Sequence, residues 1–395
     1  MVRKLLRLAL LNLLTGFSLT LALPTLVRAD EGKEQQRQYL IKYRSTDMPG
    51  RLEVARMTMQ ELHARSQDPA IDKIEIDPRR YRLTSTPTQQ LTHQPGDQSP
   101  HRSALYSAHY GPSLIQANQL SGFGAPRTVC IIDSGYDPTH PNLPGKGRVT
   151  GATRSGAGRW DEPGDAHGTH VAGTIAAVNT QGRNDLPKGI YSGVGLNLHI
   201  VRIFADDQLW VYGSDLIAAV EACAAAGANI ISMSLGGEQA SRIERETFET
   251  VFDAGVLSIA AAGNDGSYSC SYPACYSTVV SVAAVDYKKQ LASFSQRNKR
   301  IELAAPGVKI WSTIKDGETA PWSGTSTATP HVSGAAALLW SLHPQCANQD
   351  IRKALGDSAE DLGPPGRDSG YGYGLIQVSN ADQLLARSGC ELNDQ

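Results

Sequence analysis

Long apolar runs are nearly missing from this sequence. The stretch that comes closest, Leu8 to Val27, is diluted by Asn12, Thr15, Gly16, Ser18 and Thr20 and broken by Pro24. It follows Arg3, Lys4 and Arg7 and leads into Val27-Arg-Ala29, which offers small residues at the positions a signal peptidase reads. Residues 1–29 are therefore expected to be a removable export signal, with a membrane anchor as the alternative. A charge surplus is missing too, since the net charge is −2. Residues 1–102 hold 16 Lys+Arg against 11 Asp+Glu, which leaves 21 basic and 28 acidic side chains for the rest. An acidic body lacks the basic surface that binds phosphate backbones, so nucleic acid is not an expected partner. The His-Glu-x-x-His spacing of a metalloprotease helix is absent: His167 and His170 stand three apart with no Glu between them. Methionine is scarce, and of the five only Met233 lies beyond residue 59.

What is present divides the chain. Gln38–Tyr43 has strand-forming residues, Arg51–Ser66 has helix-forming composition, and Ile71–Ile76 alternates like a strand. Thr84–Ser103 is rich in Thr, Gln, Pro and Ser and reads as an exposed linker. Residues 30–102 are thus expected to form a small α+β unit with a linker. From Arg127 onward, short apolar segments (129–132, 198–204, 230–233, 256–261 and 279–285) alternate with small-residue helical patterns (168–178, 213–226, 242–254 and 330–342). Such alternation predicts an α/β domain, residues 103–395, with a mostly parallel sheet between helices. Ligands in such sheets bind beyond the carboxyl ends of the strands. Asp133, Ser234 and Asn264 all fall at such ends.

Three stretches carry chemistry. Val129-Cys-Ile-Ile-Asp-Ser-Gly135 is a buried strand ending in a carboxylate. Asp165-Ala-His-Gly-Thr-His-Val-Ala-Gly173 puts His167 at the start of a helix. Gly324-Thr-Ser-Thr-Ala-Thr-Pro-His-Val-Ser-Gly334 puts Ser326 at the mouth of an Ala-rich helix, with Pro330 expected in its first turn. A helix mouth offers unpaired N–H groups and partial positive charge to an anion forming beside the serine.

With these blocks and Ala261-Ala-Gly-Asn264, the chain resembles the subtilisin-like serine proteases, the subtilases, over roughly residues 104–385. The resemblance implies their three-layer α/β fold, an acyl-enzyme formed on Ser326, His167 as general base and Asp133 as its partner. It implies an oxyanion site made by Asn264 and the backbone N–H of Ser326. It implies that residues 30–102 act as a propeptide that assists folding and inhibits the enzyme, an unrelated N-terminal domain being the alternative. Ser234, Leu235, Gly236 and Gly237 would be a strand edge for substrate and one pocket wall. Ala261, Ala262 and Gly263 would be the other wall, with the floor near Ser271. These residues are small and uncharged, so a large apolar side chain is expected before the cut.

Six cysteines in an exported chain suggest disulfides. Cys270 and Cys275 would staple the loop beside the pocket, and Cys346 and Cys390 would tie the C-terminal tail. Cys130 and Cys223 are either a bridge or two buried thiols. No cofactor is expected for the chemistry. Structural calcium is expected at an unassigned site, because Asn142 stands where many relatives carry a ligand Asp and the loop 179–189 departs from theirs. His170 and His331 are expected to be structural. The expected protein is a monomeric, exported endopeptidase acting on proteins or peptides, outside the cell or in a periplasm. A dedicated processing protease and an inactive binding module are the alternatives. The first would show an acidic pocket wall or a docking domain after Leu385, and the second would lack Ser326, His167, Asp133 or Asn264.

Overall fold

In the computed structural model, residues 35–44, 51–83, 86–87, 110–120, 124–145, 147–154, 156–179, 186–192 and 195–391 are described. The expected signal, residues 1–29, and the linker beyond 87 up to 103 lie outside them.

The N-terminal unit is a three-stranded antiparallel sheet in the order β2-β1-β3, made of β1 (Arg37–Tyr43), β2 (Leu52–Met57) and β3 (Ile71–Ile76). One helix, α1 (Met59–Ser66), joins β2 to β3. The helix expected over 51–66 is therefore split. Residues 52–57 alternate, with Val54 and Arg56 outward and Met57 buried, which is a strand's period of two. The helix begins only after Thr58. Its hydroxyl accepts from the Glu61 N–H at 3.2 Å, while the Glu61 carboxylate accepts from the Thr58 N–H at 2.8 Å. Tyr39, Ile41, Met57 and Ile71 form a small core of their own. The chain then runs through two short strands, β4 (Arg79–Arg82) and β5 (Thr86–Pro87).

The body is built on a seven-stranded sheet. Its strands are β6 (Arg127–Asp133), β7 (Val149–Thr153), β8 (Leu196–Arg202), β10 (Ile230–Met233), β12 (Leu257–Ala261), β13 (Val279–Val285) and β14 (Leu303–Pro306). They lie in the order β14-β13-β12-β10-β6-β8-β7, and every neighbouring pair is parallel. Two short segments, β9 (Trp210–Tyr212) and β11 (Leu235–Gly236), stay outside this sheet and flank β4. A hairpin, β15 (Ile310–Thr313) and β16 (Thr319–Ser323), leads into the last long helix.

The helices that matter for the site are α2 (His167–Ala176), α3 (Gly213–Ala225), α4 (Arg242–Asp253) and α5 (Thr325–Leu342). Helices α2 and α5 pack on one face of the sheet with Ile131, Ile259 and Val282, while α3 and α4 cover the other with Ile132, Val201 and Met233. Helix α5 is apolar or small all round and is buried along all but its last residue, as a helix through a core must be. It starts five residues before Pro330, so that proline is interior and not in the first turn. Burial on every side overrides the weak helix propensity of Thr325-Ser-Thr. Cys130 is bridged to Cys223, tying β6 to α3 within the core. Cys270 is bridged to Cys275, and Cys346 to Cys390.

Candidate active site

Parallel strands put their carboxyl ends on one edge of the sheet, and three of them deliver polar residues there. β6 ends at Asp133, β10 runs out into Ser234, and β12 runs out toward Asn264. Asp133 is 1 % exposed. One of its oxygens accepts from the Ser134 N–H at 2.8 Å and lies 2.7 Å from Nδ1 of His167. That bond fixes the imidazole in the tautomer with hydrogen on Nδ1. The other ring nitrogen, Nε2, is buried and makes no hydrogen bond. It is thus placed to take a proton.

His167 opens α2. The residue before it, Ala166, has φ +73°, an uncommon left-handed conformation for alanine that turns the chain sharply into the helix. Gly168 is required by close approach, since a Cβ there would lie 2.2 Å from the Gly135 carbonyl oxygen. The helix start is thereby pressed onto the Asp133 turn. Burial pulls the His167 imidazole down. The charge and hydrogen bond of Asp133 outweigh it, and the net result lies above the ordinary 6.5.

Ser326 is the second residue of α5 and is fully buried. The Ser234 hydroxyl donates to its carbonyl oxygen at 2.8 Å. Next to it, the N–H and hydroxyl of Thr325 donate to the side-chain oxygen of Asn264 at 2.8 and 2.7 Å. The Gly263 N–H donates to the same Thr325 hydroxyl at 3.2 Å. These bonds hold the Asn264 carboxamide by its oxygen and turn its NH2 group away from Thr325. Thr325 was not singled out from sequence. A hydroxyl next to the serine in a helix's first turn is the signal that marks it.

His170 and His331 are structural. His170 Nε2 reaches the carbonyls of Ile310 and Ala320 at 3.0 and 3.2 Å, and its ring stacks on Trp322 at 4.6 Å. Burial pushes His170 down to about 3 and His331 down to about 4, so both stay neutral.

The expected substrate edge is occupied by the chain itself. β4 lies between β11 and β9, antiparallel to both, with Arg82 opposite Leu235 and Tyr81 opposite Gly236. Just beyond, the Leu83 N–H donates to the Ser234 carbonyl at 3.3 Å. A Cβ on Gly236 would lie 2.1 Å from the Ser271 hydroxyl and 3.6 Å from a Leu83 methyl, so Leu83 lies on the side of the edge where Ser271 packs. Gly237 is bonded to Tyr272 through both backbone groups at 2.9 and 2.7 Å. Ala261, Ala262 and Gly263 are buried and small, Gly263 having φ +112°.

For a cation, one observation fits. The Asn142 side-chain oxygen is buried and has no hydrogen-bond partner. An amide oxygen of this kind is a donor that calcium accepts. Among the described residues, the group of potential ligand side chains that closes together is Cys346, Asp350 and Cys390, and its two sulfurs are already joined in a disulfide.

Comparison with known proteins agrees with this architecture. The model of the Subtilase family matches residues 124–374. Subtilisin DY of Bacillus licheniformis is 37% identical over 69% of this chain and 98% of its own length. A thermostable alkaline protease of Halalkalibacterium halodurans is 32% identical over 92% of this chain and 97% of its own. Among solved structures, the psychrophilic subtilisin-like protease Apa1 of Pseudoalteromonas sp. AS-11 superposes with a TM-score of 0.65 and 29% identity, covering 71% of this chain and 98% of its own. Fervidolysin of Fervidobacterium pennivorans, described as a keratinolytic enzyme related to subtilisin, gives 0.71 and 25% identity over 89% of this chain and 62% of its own.

Proposed function

Because this chain belongs to the subtilase family and is thereby a serine-type endopeptidase, we propose that it hydrolyses internal peptide bonds through an acyl-enzyme on Ser326, with His167 and Asp133 completing the triad. The observation that carries this reading is the buried Asp133–His167 pair at 2.7 Å, whose outer nitrogen is unbonded. His167 Nε2 takes the proton of the Ser326 hydroxyl as Oγ attacks the substrate carbonyl carbon. The C=O electrons move onto oxygen. Asp133 remains ionised and stabilises the imidazolium. The Asn264 NH2 group and the Ser326 N–H at the mouth of α5 donate to that oxygen. When the intermediate collapses, the C–N bond breaks and His167 gives its proton to the leaving amine. Water then repeats the sequence on the ester and frees Ser326.

The chain is made as an exported precursor whose leader inhibits it. Support comes from the way the leader docks. Glu75 accepts from the N–H groups of Arg242 and Ile243 at the start of α4, both at 3.0 Å. Asp77 accepts from the N–H and hydroxyl of Ser214 at the start of α3, at 3.0 and 2.6 Å. Carboxylates suit helix N-termini, so both contacts are attractive. The strand that follows lies along Ser234–Gly236 as a substrate would, by strand addition. Leu83 is then the residue before the cut, in the small-walled pocket, and the released enzyme starts at Thr84. The export signal, residues 1–29, is removed beforehand. A monomer is sufficient for this scheme. Asn142 contributes to a structural calcium site with no part in the chemistry.

The test is the Ser326→Ala precursor, analysed by intact mass. It stays joined at Leu83–Thr84, whereas the wild type is cut there and hydrolyses casein. Cutting of the purified variant at that bond overturns the self-processing scheme. A wild type without activity on casein overturns the catalytic one.

A further inference from the structure

The primary pocket is uncharged, yet a carboxylate lies buried a short way along the same cleft. Glu244, in the first turn of α4, is 0 % exposed. Its partner is Arg80 of β4, also 0 % exposed. The Arg80 Nε lies 3.1 and 3.0 Å from the two Glu244 oxygens, and Nη2 lies 2.8 Å from one of them. Nη2 also donates to the Gln239 carbonyl at 3.0 Å, and Nη1 to the Arg79 carbonyl at 2.9 Å. Every nitrogen of the guanidinium is thus engaged by an acceptor, in the planar fork geometry that lysine does not have.

The cavity around this fork is shaped for it. A Cβ on Gly213 would lie 3.1 Å from a Glu244 oxygen, and a Cβ on Gly237 would lie 3.0 Å from Arg80 Nη1. A side chain at Gly213 would crowd Pro78 and the Glu244 carboxylate, and one at Gly237 would crowd the Arg79 carbonyl and the guanidinium. The other basic residues of β4 are held less tightly. Arg79 lies over the Trp210 ring at 4.0 Å, and Arg82, 7 % exposed, forms an ion pair with Asp165, which is 26 % exposed, while the Arg82 Nε makes no hydrogen bond.

Counting back from the cut proposed above, Leu83 is the first residue and Arg80 the fourth. We propose that Glu244 is a specificity-determining residue: the subsite it floors takes an arginine side chain at the fourth position before the scissile bond, so that preferred substrates have the form Arg-x-x-apolar, cut after the apolar residue. The reading rests on the catalytic assignment and on the register of Leu83. Once the leader leaves, Glu244 has lost the cation that balanced it, and a substrate arginine restores that balance. A neutral side chain leaves the Glu244 carboxylate with Tyr276 but no cation in a site built to bury it, and lysine supplies the charge without the fork.

The experiment compares kcat/KM of the processed enzyme for internally quenched peptides with the core Arg-Tyr-Arg-Leu-Thr-Ser, in which the first residue is Arg, Lys, Leu or Ala. Arginine should exceed leucine and alanine by roughly 10²–10³-fold, with lysine between, the range that loss of one partner of a buried ion pair implies. Glu244→Leu, introduced together with Arg80→Leu so that the leader still docks without a stranded charge, should remove this preference and favour leucine. Equal values for arginine and leucine in the wild type overturn the proposal, as does an arginine preference that survives Glu244→Leu. Casein serves as the control. If neither casein nor peptide is cut, the catalytic reading falls, and the subsite is judged by binding. Calorimetry of Arg-Tyr-Arg-Leu against Leu-Tyr-Arg-Leu is done on protein whose leader an added protease has removed. Tighter binding of the first by tenfold or more supports the subsite, and a smaller difference overturns it.

Discussion

The hydroxyl of Ser234 donates to the carbonyl oxygen of Ser326 at 2.8 Å. In a regular helix that carbonyl would receive the N–H of the residue four positions on. That residue is Pro330, which has none. Ser234 supplies the missing donor from the carboxyl end of β10. The strand edge proposed to hold substrate is thereby joined directly to the turn that carries Ser326, the proposed nucleophile. Ser234→Ala should lower stability by about 1–3 kcal/mol, the usual cost of taking a partner from a buried polar group. It should also reduce kcat more than it raises KM, because the misplaced group is the nucleophile and not the binding edge. Thermal unfolding and steady-state kinetics on one preparation check both.

The pH profile follows from His167. Burial lowers its pKa, Asp133 raises it by charge and hydrogen bond, and the raising wins. The base must be neutral to accept a proton, so kcat/KM should fall as pH drops through a value above 6.5, with the plateau in mild alkali. Asp133→Asn removes both raising influences. The acid limb should move to lower pH and kcat should fall by roughly 10⁴-fold, as for other triads that lose the carboxylate. A limb that stays put in the variant would separate Asp133 from the proton transfer.

Asn264→Ala should lower kcat by roughly 10²–10³-fold, a magnitude set by measurements on subtilisin itself, while KM changes little. The variant also removes the acceptor of the Thr325 N–H and hydroxyl. Some loss of thermal stability should accompany the kinetic effect. Asn264→Asp keeps an acceptor for Thr325 but takes the NH2 donor away. It should therefore restore stability more than rate.

Resistance to peroxide is expected. Thr327, directly after Ser326, is buried and holds the Gly324 carbonyl through its hydroxyl at 2.9 Å. It has no sulfur to oxidise. Met233, the methionine that would remain after the proposed cleavage at Leu83, is 0 % exposed in β10. Thr327→Met would place a thioether against the reacting centre, where conversion to a polar sulfoxide disrupts packing. The wild type should keep most of its activity in peroxide and the variant should lose it, with peptide mapping locating the sulfoxide. Rapid loss in the wild type in step with oxidation of Met233 would contradict this.

The parts of the site that were legible in the sequence are those where chemistry forces a residue type and a neighbour. A carboxylate ending the apolar run 129–132, a histidine before Gly168 and a serine before an Ala-rich run need no three-dimensional information. The strand over 230–233 and the helix starting at Arg242 were legible from pattern as well. Tertiary context decided the rest. Helix α5 begins at Thr325 because its first turn is buried on every side, against the local preference of Thr and Ser. Residues 52–57 became a strand because β1 offered them an edge, and Thr58 supplied a cap that starts the helix late. Glu244 reads in the sequence as one of several acidic residues on an amphipathic helix. Only the fold turns it inward to meet Arg80. For Cys130 and Cys223 the sequence leaves a bridge and two buried thiols open, because each sits in an apolar setting that suits either, and the fold resolves them as a bridge.

Labelling of the processed protein with a serine-reactive phosphonate, followed by peptide mapping, tests the central claim that Ser326 is a nucleophile activated by His167 and Asp133. The account predicts one adduct per molecule, located on Ser326, formed rapidly by the wild type and at least about 10³-fold more slowly by Asp133→Asn, in line with the loss of rate when a triad loses its carboxylate. The Ser326→Ala precursor should take up none. An adduct on a different residue, or rapid labelling of Ser326 that is indifferent to Asp133, would contradict it.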